Sequence, residues 1–212
     1  MEVKTFIFND FYENTFVLYD TTGECIIVDA GCYSVAERET LVKFIADNKL
    51  TLKYLVNTHC HVDHVLGINY LKEYYHVDFL ANTYEQYLLA NVGIHGQMYG
   101  FKVDSPIIID RHIKGGDSIK FGNSELQVLD VPGHTKGHVA LLDKTDNFVI
   151  TGDVLFKGSI GRTDLPGGDY DQLITSIYTQ LLTLNDRTLV YPGHGHNTTI
   201  GLERNSNPFL IG

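Results

Sequence analysis

A chain of 212 residues, with 26 acidic against 16 basic side chains and a formal charge of -10 with histidine neutral, has the length of one domain. Its 43% apolar and 20% charged residues are ordinary for a soluble globular protein, and at this length roughly 70% of the unfolded surface is buried on folding, which excludes intrinsic disorder and collagen-like repeats. Net acidity without any basic run argues against a broad nucleic-acid-binding face, which needs clustered Lys and Arg, and no apolar run approaches the roughly 20 residues of a transmembrane helix.

Short β-branched and aromatic runs at Lys4–Phe8, Thr15–Tyr19 and Cys25–Val28 predict three opening strands, with a hairpin at Thr21-Thr22-Gly23-Glu24. From Ser34 the period changes. Val35, Leu41, Val42, Ile45 and Ala46 recur at three- and four-residue spacing, which predicts a helix capped by Ser34 and running to Asn48. A strand at Leu52–Asn57 follows, then a helix from near His64 with Leu66, Tyr70, Leu71 and Tyr74 on one face. A strand at Val77–Ala81 and a helix at Tyr84–Asn91 succeed it. The second half repeats the plan: strands at Ser118–Phe121, Leu126–Val131, His138–Leu142 and Phe148–Ile150, a helix at Tyr170–Leu184, a strand at Thr188–Tyr191 and a brief helix at Ile200–Asn205. Two sheets each covered by helices make an α/β fold, a four-layer αββα sandwich, and no linker divides residues 1–212 into separate domains.

Cys25, Cys32 and Cys60 form an odd, unpatterned set that fits a reduced compartment better than a disulfide scaffold. Met1 to Thr15 lacks the basic-then-apolar order of a signal peptide, so a cytoplasmic, full-length protein is expected. The compositional anomaly is histidine, ten in 212 residues. Thr58-His59-Cys60-His61-Val62-Asp63-His64 places four potential metal ligands in six positions. If the preceding strand runs through His59 and His61 they point to one side, while Asp63 and His64 stand where a helix begins and can turn toward a second ion. Imidazole and carboxylate suit zinc, iron or manganese alike; the alternative is a His-rich surface loop with Asp63 as an N-cap.

Pro132-Gly133-His134-Thr135-Lys136-Gly137-His138 sets His134 in a glycine-flanked turn after an apolar strand. His138, which opens the next strand, reads better as a core histidine or a support for a ligand than as a ligand. Asp153 follows Phe148-Val149-Ile150 and is a ligand or a turn aspartate. Tyr191-Pro192-Gly193-His194-Gly195-His196 mirrors the His134 turn. All four motifs follow strands, whose ends can deliver separated ligands to a common crevice. Cys60 reads as a filler facing away from that crevice.

At these residues the chain resembles the metallo-β-lactamase superfamily, and within it the glyoxalase II branch of thiolester hydrolases (hydroxyacylglutathione hydrolases), with the likeness running from the first strands to Pro208. The resemblance implies the αββα fold of that superfamily and two divalent metal ions, zinc in the first instance with iron or manganese as alternatives. One ion would take His59, His61 and His134, the other Asp63, His64 and His194, with Asp153 bridging. It also implies hydrolysis by a metal-activated water, whose pKa such ions lower from 15.7 to about 7. Asp63 is then the catalytic side chain that steers the proton of the attacking water, and no serine or cysteine nucleophile is required.

Asp63-His64 in tandem differs from the antibiotic-hydrolysing β-lactamases, whose second metal site commonly recruits a cysteine. The stretch Gly152 to Asp164 is similar to the glyoxalase II segment in which a basic residue at the Arg162 position binds the glycine carboxylate of glutathione; an internal ion pair to Asp164 or Asp169 is the alternative. Asp164 and His196 stand where that branch places tyrosines, and only 18 residues follow His194, too few for its added helical domain. The expectation is a short, single-domain hydrolase of a small anionic thiolester such as S-lactoylglutathione, without nucleic-acid or membrane partners. An iron-dependent persulfide dioxygenase, a lactone hydrolase and a non-catalytic metal-binding module are the competing readings; the complete ligand set speaks against the first and the last. Tyr84, Tyr87, Tyr99 and Phe101 line a pocket mouth or serve helical packing.

Overall fold

The computed structural model describes residues 1–103 and 105–211. Two compact units divide them: Met1–Ile113 with Lys120–Ser124, and Lys114–Ile119 with the chain from Glu125 onward. In the first unit, strands β1 (Glu2–Phe8), β2 (Glu13–Tyr19), β3 (Glu24–Val28), β4 (Thr51–Val56), β5 (Asp78–Ala81) and β6 (Arg111–His112) form one sheet in chain order. The first three pair antiparallel through short connections, and β3 through β6 pair parallel. Parallel neighbours need a crossover, which explains the helices: α1 (Val35–Asp47) links β3 to β4, and α2 (Ile68–Tyr75) links β4 to β5.

The start of α1 is set locally. Ser34 Oγ accepts the Glu37 amide while the Glu37 carboxylate accepts the Ser34 amide, a reciprocal cap that satisfies two otherwise orphaned donors. The helix then buries Leu41 and Ile45 in a cluster that includes Leu55, Leu71 and Phe79. Helices α3 (Gln86–Ala90) and α4 (Val92–Met98) follow a 3-10 turn at Thr83–Glu85, where Asn82 Oδ1 accepts the Tyr84 amide.

The second sheet takes β7 (Ser118–Phe121), β8 (Ser124–Asp130), β9 (Val139–Asp143) and β10 (Phe148–Gly152). A small hairpin, β11 (Leu155–Phe156) with β12 (Ser159–Ile160), stands apart from it. Helix α5 (Tyr170–Ser176) runs on through a π-helical turn at Ile177–Leu181, and β13 (Leu189–Pro192), β14 (Thr198–Thr199) and α6 (Ile200–Ser206) end the chain. The sheet order is β14-β13-β10-β9-β8-β7. Every residue of β10 is buried, as expected of a central strand covered on both faces, and Leu173, Ile177 and Leu181 pack with Val149 and Val190 in this unit's core.

Several expectations need correction. β4 stops at Val56, so His59 and His61 lie beyond the strand; the helix expected near His64 begins at Ile68, after a separate 3-10 turn at Val62–His64. α4 and β6 have no counterpart among the predicted elements, and the helix expected to reach Leu184 ends its π-helical turn at Leu181. Among the described residues no helix is long and apolar enough to cross a membrane. The three cysteines are free and buried; burial pushes the thiols of Cys25 and Cys32 up to about 12 and that of Cys60 well above the ordinary range.

Candidate metal centre

In the first unit the ligand loop is held by side chains rather than by sheet. Beyond β4, Asn57 Nδ2 donates to the carbonyls of His59 and His64, each at 2.9 Å. Asp29, which follows β3 with a positive φ of 53°, accepts from Thr58 N and Thr58 Oγ1, both at 2.7 Å. The buried Glu85 carboxylate accepts the Cys60 amide at 2.7 Å, and Asn9 Nδ2 donates to the Asp63 carbonyl at 3.0 Å. The His59 and His61 rings therefore meet through a bent loop, 4.9 Å apart and perpendicular, and not through the two-residue alternation of a strand. The His64 ring lies 4.2 Å from that of His59.

These contacts orient the imidazoles. His59 Nδ1 lies 3.2 Å from Thr58 Oγ1, whose own proton goes to Asp29, and His64 Nδ1 lies 3.2 Å from Asp29 Oδ2. With the proton on Nδ1 in both, the Nε2 lone pairs are the ligating ones, as is usual for histidines braced by a carboxylate or hydroxyl. His64 Nε2 faces Asp63 Oδ2 at 3.5 Å. Sequence reasoning missed Asp29, Glu85, Asn9 and Glu13. Glu13 is fully buried with its Oε1 3.8 Å from His64 Nδ1, and burial raises its carboxyl well above the usual range.

The second unit supplies His134, Asp153 and His194. Gly133 turns with φ 136°, and any Cβ there would collide with the Leu173 backbone of α5, so the turn presenting His134 sits against that helix only as glycine. His134 Nδ1 lies 2.8 Å from the Arg162 carbonyl, which again leaves Nε2 to ligate. One carboxylate oxygen, Asp153 Oδ2, stands 3.6 Å from His134 Nε2 and 3.6 Å from His194 Nε2. The Asp153 amide donates to His138 Nε2 at 3.1 Å, so His138, from the core, holds the backbone of a candidate ligand. Cys60 packs in the core of the first unit, the filler role expected of it.

A cavity of about 570 Å³ in this unit is lined by these three residues together with Lys157, Arg162 and His196. Arg162 forms a two-pronged pair with Asp164, 2.7 Å on each arm, and holds that carboxyl down to about 2. Of the aromatic residues between 84 and 101, Phe101 is buried against Phe11 and Tyr33, and Tyr84 and Tyr99 are exposed.

The donor sets suit a divalent cation. Two donors on one tetrahedral ion with bonds of about 2.0–2.2 Å stand roughly 3.3–3.6 Å apart, and the 3.5 and 3.6 Å separations above fall there, beyond ordinary hydrogen-bond length. Neutral imidazoles with braced Nδ1 atoms and ionisable carboxylates are ligands for zinc, iron or manganese.

The sequence profile described as the metallo-β-lactamase superfamily matches residues 9–194, a span that contains all seven candidate ligands. Over 99% of its length the chain is 37% identical to hydroxyacylglutathione hydrolase GloC of Haemophilus influenzae, 98% of which is covered. It is similar in structure to the BLEG-1 B3 metallo-β-lactamase, with TM-score 0.91, 32% identity and both chains covered throughout. It is also similar to TTHA1623 in a di-iron-bound form, with TM-score 0.87, 33% identity and 99% and 100% of the two chains covered. The α/β sandwich expected from the order of strands and helices is the fold of these neighbours. Ligand order, sheet order and donor chemistry converge, and this chain belongs to the metallo-β-lactamase superfamily.

Proposed function

We propose that the protein is a dinuclear metal-dependent hydrolase of small anionic thiolesters, S-lactoylglutathione among them, working in the cytoplasm. In this reading His59, His61 and His134 would hold one divalent ion and Asp63, His64 and His194 the other, with Asp153 shared. The observation that carries it is the single Asp153 oxygen at 3.6 Å from both His134 Nε2 and His194 Nε2, the relation a bridging carboxylate needs to ligands of two different ions. The thiolester class is supported by the likeness to a hydroxyacylglutathione hydrolase along nearly the whole of both chains.

When bound, the ions would polarise the carbonyl and bring the pKa of water toward about 7. The chain's residues do the rest. Asp63, beside His64 Nε2 and with its backbone pinned by Asn9, receives and orients the proton of the attacking water. His138 fixes the Asp153 backbone, and Arg162 stands on the cavity rim with its guanidinium paired to Asp164. Zinc is the favoured metal; the di-iron neighbour supports iron as the alternative.

Metal analysis of protein purified without added metal is expected to give close to two ions per chain. Thiol release should then follow from S-lactoylglutathione or a small acyl-CoA, and His61→Ala should abolish it. No turnover above that variant across the thiolester panel overturns the reading. Oxygen uptake with glutathione persulfide and a single iron per chain would replace it by an oxygenase, and turnover confined to a lactone or to a chromogenic β-lactam would replace the substrate class.

A further inference from the structure

The β11–β12 hairpin carries Phe156, Lys157, Ser159 and Ile160 into the cavity beside the second-unit ligands, and the Phe156 ring lies 6.5 Å from that of His194. Two polar residues anchor it from behind. Glu203 of α6, 1% exposed, accepts the amide of Gly158 at 2.8 Å, the hydroxyl of Thr198 and Asn207 Nδ2 at 2.8 Å, and Asn207 Nδ2 also reaches the Ser159 carbonyl at 3.0 Å. Gly158, at φ 71°, makes the tight turn that places Lys157 at its tip. A buried carboxylate answered only by neutral donors is costly, and one of those three donors is the Gly158 amide of the turn, which marks the position of that turn as worth holding.

We propose that Lys157 is the cation that receives the substrate's anionic end, and that Glu203 is a positioning residue that holds the hairpin for it. This deepens, and rests on, the reading of the cavity as a thiolester site. Arg162 is the obvious rival, but its fork is already filled by Asp164. A ligand carboxylate must displace a carboxylate there, exchanging like for like. Among the described residues none pairs with the Lys157 ammonium, so an incoming anion gains an ion pair without breaking one. The apolar faces of Phe156 and Ile160 lie on the same hairpin, so the substrate class is a thiolester with a compact apolar segment next to the metals and a carboxylate several bonds away.

The test is calorimetric binding of S-methylglutathione, which cannot be hydrolysed, and of its uncharged-carboxyl diester to the metal-loaded protein and to Lys157→Ala, Arg162→Ala, Glu203→Ala and Glu203→Gln. The wild type should favour the anionic form. Lys157→Ala should weaken that form by about fivefold, the scale of an exposed ion pair, and leave the diester unchanged; Arg162→Ala should do less. Glu203→Ala should copy Lys157→Ala, and Glu203→Gln, which keeps an acceptor for the Gly158 amide, should recover most of the loss. Should Glu203→Ala fail to fold, the Lys157→Ala result decides. Equal losses for both ligands, an Arg162→Ala loss larger than that of Lys157→Ala, or no binding of either ligand by the wild type overturns the proposal. Selective binding without turnover of any thiolester would instead leave it standing and remove the hydrolase reading.

Discussion

His138→Phe tests the support behind Asp153. His138 is 1% exposed and packs its ring 5.8 Å from that of His134, a contact that phenylalanine preserves. The substitution removes the Nε2 acceptor 3.1 Å from the Asp153 amide and, with it, the Nδ1 contact to the Val139 carbonyl at 3.2 Å. A buried donor stripped of its acceptor costs about 1–3 kcal/mol, which with a urea m-value of about 2 kcal/mol/M lowers the midpoint by roughly 0.5–1.5 M. Asp153 is also the residue both imidazoles face, so a shift of its backbone reaches every ligand in this unit. Loss of hydrogen bonds that brace metal ligands typically costs 10–100-fold in affinity, or about 1.4–2.7 kcal/mol. Urea unfolding of the metal-free protein measures the first effect, and zinc competition against a chromogenic chelator the second. His138→Gln, whose amide oxygen can accept the Asp153 proton, should recover part of both. A lowered midpoint with zinc affinity within twofold of wild type would refute the supporting role and leave His138 as packing alone.

Other outcomes follow from neighbouring contacts. A methyl group at Gly161 would collide with the Asp153 carbonyl and touch His134 Cβ at 3.4 Å, so Gly161→Ala should destabilise by about 1–3 kcal/mol and lower zinc affinity; an unchanged melting temperature would contradict the geometry. Glu85→Leu leaves the Cys60 amide without its 2.7 Å acceptor and should speed hydrogen exchange there and weaken zinc binding, whereas Glu85→Gln should do so less. The buried, high-pKa thiols of Cys25, Cys32 and Cys60 should resist a thiol reagent in the native protein at mildly alkaline pH and all react after unfolding. Labelling of any one of them in folded protein would place it at the surface.

The strands were legible because β2, β3 and β10 are nearly continuous buried runs, which composition and turn residues alone can bound. Ser34 announced the start of α1, since an N-cap is local in sequence, and the structure added Glu37 as the other half of that cap. Helix α4 carried no such signal. Val92–Met98 contains Gly93 and Gly96, poor helix formers, and the second is useful only because the chain at Phe101 and Val103 closes on it. The strand assumed through His59 and His61 failed for a related reason: Asn57, Asp29 and Glu85 satisfy the backbone there, and none of these contacts leaves a periodic trace.

The sequence by itself determined the kind of site. Five histidines and two aspartates, each placed after a strand and in one order, name a metal chemistry wherever the side chains point, because residue type sets ligand type. Tertiary structure decided what holds them and what remains available to a substrate. The groups that brace the ligand segments come from 25, 29 and 54 residues away for Glu85, Asp29 and Asn9, and from 15 for His138, distances over which local periodicity says nothing. Even the neighbours Arg162 and Asp164 illustrate it. Two residues apart, they could pair or stand apart, and only the folded backbone brings the guanidinium onto that carboxylate and, among the described residues lining the cavity, leaves Lys157 outside any ion pair.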